Sequence, residues 1–290
     1  MLSRLVRLAL LAEILLYGAI GIWLIRAQGW SVTATFFAAV AMALAVRLVF
    51  VVASFAIGSR AASPGTVLRE FRSVLGSNFL GVPFPHLVTP KEIEAAPTDR
   101  IPVVLVHGYF GNRGFWGALL RWLEGRGIGP VFAPDFPATF ATIEDFAQAL
   151  EREIERISTA TGQPRVILVC HSMGGLATRR YLANRGAARI AKVITIASPH
   201  AGTVLSRFGM GANAAQMRRD SAFLAELRRA ENGRAPCPFT SIYSIHDNMV
   251  TPQDTSRLEW ARNVPLEGVG HITIIQSPAT FAALAEELRG

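Results

Sequence analysis

Two long apolar segments lie near the start of the chain, at residues 5–25 and 36–57. Each is close to the roughly 20 residues that an α-helix needs to cross the hydrocarbon core of a bilayer. Charged side chains interrupt them only at Arg7, Glu13 and Arg47. The pattern predicts two transmembrane helices joined by a short connection.

An uncleaved anchor over residues 1–58 is the preferred interpretation of this region. A central arginine such as Arg47 costs about 2.5 to 3.5 kcal/mol on insertion scales, and its apolar neighbours offset that cost. The alternative for the first segment is a secretory signal peptide, because Arg4 and Arg7 precede an apolar core. That core exceeds the usual length of about 7 to 15 residues, and no small-x-small cleavage site follows it.

Residues 59–100 form a connector that contains several prolines and one amphipathic stretch. Val67, Phe71 and Val74 fall on one face of a helix that the pattern predicts over Pro64–Gly76. The pattern leaves open whether this helix lies on a membrane surface or packs on the domain that follows.

From residue 101 onward, apolar runs of strand length alternate with helical segments. Strands are predicted at residues 103–106, 131–133, 166–169, 193–196, 240–244 and 264–266, and helices at 116–124, 142–158, 174–184 and 278–288. This alternation predicts one α/β domain over residues 101–290, with a mostly parallel sheet and helices on both of its faces. Thr142 and Asp145 have the spacing of a capping box.

Residues 204–238 interrupt the alternation and contain a short helical pattern opened by Ser221. Two interpretations stay open for this segment. It forms either a small cap over a binding site or a packed excursion with no gating role.

The charge of the chain bears on its partners and its orientation. The net charge of +8 comes mostly from scattered arginines, with no basic run interleaved with aromatic residues, so nucleic-acid binding is not indicated. Arg4 and Arg7 lie at the start of the first apolar segment, and Arg69 and Arg72 follow the second. The positive-inside rule then places both ends in the cytoplasm, with the anchor in the cell's inner membrane. The two cysteines form no disulfide framework.

A β-branched apolar run ends abruptly at Ser172, and Gly174, Gly175 and a helical pattern follow. This order is typical of the nucleophile elbow, written GxSxG, in which a sharp turn exposes the serine hydroxyl and a helix N-terminus favours developing negative charge. Cys170 replaces the first glycine of the motif and is expected to pack at the end of the strand. Ser172 is the predicted nucleophile.

A serine hydroxyl is a weak nucleophile, so Ser172 needs a general base, and the base needs an orienting acid. In the order nucleophile, acid, histidine, Asp247 follows a predicted strand and His271 lies in a glycine-containing turn after the next one. Asp247 is the predicted acid and His271 the predicted base. Asp135 is the weaker candidate for the acid because it precedes the serine.

Two backbone N–H groups are predicted to form an oxyanion hole. One belongs to Met173, directly after the nucleophile, and the other to Tyr109, in the glycine-containing loop after the first strand of the domain. Substrate-binding side chains are not indicated by any pattern.

The other histidines are expected to have structural roles. His107 should brace the loop before Tyr109, His200 should shape the rim of the site, and His171 and His246 should point away from the attacking hydroxyl. The spacing of His, Cys and carboxylate residues predicts no metal site, and no phosphate-binding loop or other cofactor motif is indicated.

Residues 102–288 resemble the α/β-hydrolase superfamily and, within it, the bacterial triacylglycerol lipases. The most specific stretches are Tyr243-Ser-Ile-His-Asp247-Asn-Met-Val250 and Gly268-Val-Gly-His271-Ile272, which are similar to the acid and histidine region of the minimal, nearly lidless secreted lipases. Those lipases lack a membrane hairpin, so residues 1–100 fall outside the resemblance.

The resemblance implies an α/β-hydrolase fold, a triad of Ser172, Asp247 and His271, and an oxyanion hole made by the amides of Tyr109 and Met173. The expected function is a membrane-anchored lipase or esterase that acts through an acyl-enzyme on an acyl ester or lipid. A thioesterase, peptidase or acyltransferase remains an alternative, because a triad recognises the carbonyl and not the leaving group. A second alternative is a catalytically silent interaction module, although no obligate protein partner is evident.

Overall fold

The computed structural model describes residues 1–58, 62–89, 96–136 and 139–288. Its helices are α1 (Leu2–Gln28), α2 (Val32–Gly58), α3 (Pro64–Gly76), α4 (Pro85–Val88), α5 (Gly117–Glu124), α6 (Ile143–Thr161), α7 (Met173–Arg185), α8 (Ala212–Gln216), α9 (Ala222–Glu231) and α10 (Pro278–Leu288). Its strands are β1 (Val103–Val106), β2 (Val131–Phe132), β3 (Val166–His171), β4 (Ile190–Ile196), β5 (Phe239–Ser244) and β6 (Arg262–Leu266).

Helices α1 and α2 form an antiparallel hairpin, and each is long and apolar enough to cross a membrane. Their 27 residues apiece give a length of about 40 Å at 1.5 Å per residue. The guanidinium of Arg47 binds the Glu13 carboxylate through two hydrogen bonds of 2.5 and 2.6 Å. The two charges in the middle of the apolar surface are therefore paired with each other, which is how charges are usually accommodated at membrane depth.

Helix α3 covers the predicted range and packs on the domain that follows. Its N-terminus is capped by Ser63, whose hydroxyl accepts a hydrogen bond from the Thr66 N–H. Val74 joins Val51 and Phe55 of α2 in a small apolar cluster. Ile272 of the following domain packs against the same cluster, so helix α3 bridges the end of the hairpin and that domain.

All six strands lie in one parallel sheet with the order β2-β1-β3-β4-β5-β6. Alternate residues of a strand point to opposite faces, and β1 illustrates the result. Val104 and Val106 belong to a core that contains apolar residues of α6, α7 and α9, whereas Val103 and Leu105 belong to a core with α5 and α10. The predicted fold class, a parallel sheet with helices on both faces, is confirmed.

The predicted element boundaries differ from the observed ones by only a few residues. Thr142 caps α6 with the predicted capping box. Strand β4 begins earlier than predicted, because Ile190 pairs with Val166 of β3 even though Ala191 and Lys192 interrupt the apolar run.

Residues 204–238 contain a 3-10 turn at Val204–Phe208 and the helices α8 and α9. Helix α9 buries Phe223, Leu224 and Leu227 in the core beside α7. Its last residue, Glu231, accepts hydrogen bonds of 2.6 and 2.7 Å from Arg179 of α7. The Arg179 side chain is only 1% exposed, so Glu231 supplies the negative charge that makes its burial tolerable.

Replacing Glu231 with alanine is expected to destabilise the fold, because it leaves the buried Arg179 without its carboxylate. Breaking a buried ion pair in this way costs about 3 to 5 kcal/mol. The control is Glu153→Ala, which removes a surface pair with Arg156 and should lower the free energy of unfolding by less than about 1 kcal/mol. Denaturant titrations followed by tryptophan fluorescence measure both, and equal stabilities would contradict the assignment.

Candidate active site

Ser172 occupies a sharp turn between β3 and α7. Its backbone has φ 54° and ψ −126°, a region that a non-glycine residue adopts only when its surroundings impose it. The turn requires glycine at position 174, since a Cβ there would lie 2.4 Å from the Val106 carbonyl oxygen. This strained turn places the Ser172 side chain at the carboxyl edge of the sheet, in front of the N-terminus of α7.

Three side chains from separate loops meet at this edge. The Ser172 Oγ lies 3.0 Å from the His271 Nε2, and the His271 Nδ1 lies 2.9 Å from the Asp247 Oδ2. The second carboxylate oxygen of Asp247 accepts hydrogen bonds of 2.7 Å from the Met249 and Val250 N–H groups. The structure thus brings together the predicted nucleophile, base and acid in one buried, hydrogen-bonded chain.

Opposing effects act on the pKa of His271. Burial disfavours the charged imidazolium, while the Asp247 carboxylate and, more weakly, the Glu70 carboxylate favour it. The carboxylates outweigh burial, and the pKa of His271 is raised above its usual value. The imidazole can therefore accept the proton of the Ser172 hydroxyl, and the resulting imidazolium is stabilised by the adjacent Asp247.

The loop after β1 lies against the nucleophile. A Cβ on Gly108 would lie 2.8 Å from the Ser172 Cβ and 3.1 Å from the Met173 nitrogen, so only glycine allows this approach. The structure gives no acceptor, within its described residues, for the N–H groups of Tyr109 and Met173. Both amides are therefore available to a ligand beside Ser172.

An apolar rim flanks this loop and consists of Phe140, Phe208 and Met210, which are 39%, 76% and 63% exposed. The Tyr109 hydroxyl ties the rim to the loop, since it donates to the Met210 carbonyl at 2.8 Å and accepts from the Met210 N–H at 2.9 Å. The ring of Phe140 lies 5.4 Å from that of Phe110. Large apolar side chains are thus exposed next to the candidate oxyanion hole.

Two histidines brace the loops of the site. The His107 Nε2 accepts a hydrogen bond of 3.1 Å from the Phe136 N–H, and its Nδ1 lies 3.0 Å from the Gly108 carbonyl oxygen. The His246 Nδ1 accepts from the Gly268 N–H at 2.9 Å. The expected bracing role of His107 is confirmed.

The expectation for His200 needs correction. His200 is only 1% exposed and lies at Thr195 and Arg179 rather than on a rim. Burial, aided by the charge of Arg179, holds its pKa well below the usual value. His171 does not contact the Ser172 hydroxyl, yet its ring lies 4.8 Å from that of His271 and its Nε2 is 3.1 Å from the His271 carbonyl oxygen. His171 therefore contacts both the ring and the backbone of His271, which lies in the loop of residues 268–273, here termed the histidine loop.

Two further candidates from the sequence lie outside the hydrogen-bonded chain. Asp135 is exposed and accepts a hydrogen bond from the Arg113 N–H. Cys170 is buried beside the Thr178 hydroxyl, and burial raises the pKa of its thiol to about 12, so it stays protonated at neutral pH. Within the described ranges, no group of three or more His, Cys, Asp or Glu side chains could hold a metal ion.

Glu70 and Asn248 also contact the histidine loop, and neither was predicted from the sequence. A signal for Glu70 exists, because it lies on the apolar face of α3 between Val67 and Val74, where a charged residue needs a buried partner. Asn248 directly follows the acid, but no local pattern distinguishes it from other turn residues.

A model of the alpha/beta hydrolase family matches residues 103–264, and the chain belongs to this family. A triacylglycerol lipase of Pseudarthrobacter phenanthrenivorans is 31% identical over 121 residues, which are 38% of this chain and 36% of that protein. A (lyso)-N-acylphosphatidylethanolamine lipase of Mus musculus is 27% identical over 124 residues, 40% of this chain and 35% of its own. The match therefore spans about a third of the length of these relatives.

The crystal structure of Aspergillus fumigatus lipase B has a similar fold, with a TM-score of 0.59 at 21% sequence identity. The similarity covers 70% of this chain and 55% of that one. It supports the α/β-hydrolase architecture of the domain that follows the hairpin.

Asp247→Asn is expected to lower the pKa of His271, because burial is then opposed only by the weaker effect of the Glu70 carboxylate. The wild-type pKa lies above the usual value and that of the variant should lie below it. Titration of the His271 ring by NMR measures this change. Asp254→Asn removes an exposed carboxylate and serves as the control. An unchanged pKa in Asp247→Asn would refute the pairing.

Proposed function

We propose that the protein is a membrane-anchored serine hydrolase of the lipase or esterase type, which cleaves carboxylic esters through an acyl-enzyme. The observation that carries this proposal is the continuous set of hydrogen bonds from Ser172 through His271 to Asp247. Membership of the alpha/beta hydrolase family and the lipase names of the relatives support it.

The first half of the reaction acylates the serine. Ser172 Oγ attacks the ester carbonyl carbon while the His271 Nε2 takes its proton, and the carbonyl electrons move to the oxygen. The N–H groups of Met173 and Tyr109 stabilise that oxyanion. When the intermediate collapses, the carbon–oxygen bond to the alcohol breaks, and the alcohol leaves with the proton that His271 held.

The second half releases the acid. His271 takes a proton from water as the water oxygen attacks the acyl carbon, and the same two amides hold the second oxyanion. The bond to Ser172 then breaks, and the serine recovers its proton from His271. The Asp247 carboxylate keeps its hydrogen bond to the His271 Nδ1 and stabilises the imidazolium of each step.

An ester with an apolar acyl chain is the proposed substrate. The rim of Phe140, Phe208 and Met210 exposes apolar side chains beside the candidate oxyanion hole, where they can shield such a chain from water. The names of the matched relatives, a triacylglycerol lipase and a (lyso)-N-acylphosphatidylethanolamine lipase, point in the same direction.

Ser172→Ala is expected to lower kcat by at least about 1,000-fold, because no other group can form the acyl-enzyme. The full chain in detergent is assayed with p-nitrophenyl esters of short and long acyl chains. Ser198→Ala is the matched control, since Ser198 is a buried serine whose hydroxyl has no hydrogen-bond partner within the described part of the chain.

Labelling with a fluorophosphonate probe provides a second measurement. The wild type should be labelled and Ser172→Ala should not. If the wild type and Ser172→Ala hydrolyse esters equally, the triad assignment is wrong. A wild type that is neither active nor labelled would favour the silent interaction module.

The hairpin of α1 and α2 is proposed to anchor the enzyme in the cell's inner membrane, with the catalytic domain in the cytoplasm. Two adjacent helices of spanning length support the anchor. The arginines in the first turns of α1 and those after α2 support the orientation, because short cytoplasmic flanks carry an excess of Lys and Arg.

Reporter fusions test this orientation. Alkaline phosphatase fused after Gly290 should be inactive and green fluorescent protein fused there should fluoresce, since both signals depend on the side of the membrane. Phosphatase fused after Trp30, in the connection between the two helices, should be active and provides the control. Active phosphatase at Gly290 would reverse the proposed orientation.

A further inference from the structure

The end of α2 and the helix α3 contact the two loops that carry Asp247 and His271. We use the term anchor junction for residues 51–58 of α2 together with α3. The contacts are hydrogen bonds between residues about 200 positions apart in the chain. Their partners in the two loops include Asn248, next to the acid, and Ile272, next to the base.

The first contact is made by Glu70 of α3, which is fully buried. One of its oxygens accepts a hydrogen bond from the Ile272 N–H at 2.8 Å. The other accepts from the Thr273 N–H at 2.8 Å and from the Thr273 hydroxyl at 2.7 Å. A single carboxylate therefore fixes the two peptide units directly after His271.

The second contact runs through Asn248, which is 1% exposed. Its side-chain oxygen accepts a hydrogen bond from the His271 N–H at 2.9 Å, and its NH2 group donates to the Ser54 hydroxyl at 2.7 Å. The Ser54 hydroxyl in turn donates to the Val51 carbonyl within α2. The backbone of the catalytic histidine is thus connected to the last turns of the hairpin by one side chain.

The third contact holds the loop of the acid. The carbonyl of Gly58, the last residue of α2, accepts hydrogen bonds from the Thr251 hydroxyl at 3.1 Å and from the Gln253 NH2 at 2.5 Å. The same Gln253 nitrogen donates to the Asp247 carbonyl at 2.8 Å. The loops of Asp247 and His271 are therefore both hydrogen-bonded to the end of α2, the second of them through Asn248.

We propose that Glu70 and Asn248 are positioning residues for the reaction, and that the anchor junction is a structural part of the active site as well as a tether. This proposal rests on the proposed function. Neither side chain touches the reacting atoms. They fix the backbone on both sides of His271, so that its ring stays in line with Ser172 and Asp247.

The chemistry of Glu70 explains why its loss should matter. Two peptide N–H groups and one hydroxyl would lose their acceptor in a buried place, and such groups move to find new partners. His271 is adjacent to those peptides and must keep bonds on both ring nitrogens. A displacement of about 1 Å from catalytic geometry can reduce a rate about 100-fold.

Steady-state kinetics on the full chain in detergent test the proposal, with active sites counted by fluorophosphonate labelling. Glu70→Gln keeps the shape of the side chain but removes the charge and one acceptor oxygen. Its kcat per labelled serine is expected to fall about 10- to 100-fold, with KM within about twofold of the wild type. Glu124→Gln makes the same change at an exposed position of α5 and should leave both constants unaltered.

Ser54→Ala covers the case in which Glu70→Gln does not fold, because it removes only one hydroxyl from α2. It is expected to lower kcat per labelled serine several-fold without changing KM. A purely structural role would lower the number of labelled sites and leave kcat per site intact. Unchanged kcat per site in the folded variants would overturn the proposal, whereas an inactive and unlabelled wild type would instead overturn the proposed function.

Discussion

The imidazole of His271 must keep two hydrogen bonds at once, one on each nitrogen, to partners that come from different loops. Burial works against its charged form, so the surrounding groups have to supply both negative charge and a fixed backbone. Asp247 supplies the charge at hydrogen-bond distance, and the His171 ring packs against the His271 ring. The rest of the domain can be understood as the scaffold that satisfies this single requirement.

The parallel sheet satisfies most of it. Because β3, β5 and β6 run in the same direction, the segments that carry Ser172, Asp247 and His271 all leave the same edge, as ligand-binding segments do in such sheets. The sheet does not fix the histidine loop, which continues beyond β6 into residues 268–273. That loop is held instead by Asn248 and by Glu70, which comes from outside the segment matched by the family model.

Patterns with a short period could be predicted from the sequence, and contacts between distant segments could not. The hairpin, α3, the capping box of α6 and the positions of the strands along the chain each depend on residues within about one element of one another. The elbow and the order of acid and histidine were sufficient to choose three side chains that the fold brings within hydrogen-bond distance. His200 was placed wrongly because the end of a strand does not reveal whether the next residue turns inward to Arg179. Glu70 was missed because its partners lie more than 200 positions away.

The long reach of Glu70 has a consequence for the order in which the chain matures. The hairpin and α3 leave the ribosome before Thr273 does, since synthesis proceeds from the N-terminus. Until then Glu70 has no donors and its carboxylate is better hydrated than buried. The carboxylate of Glu70 can therefore be buried only after the histidine loop has been made. Insertion of the hairpin into a bilayer, as proposed, can then precede the completion of the proposed active site.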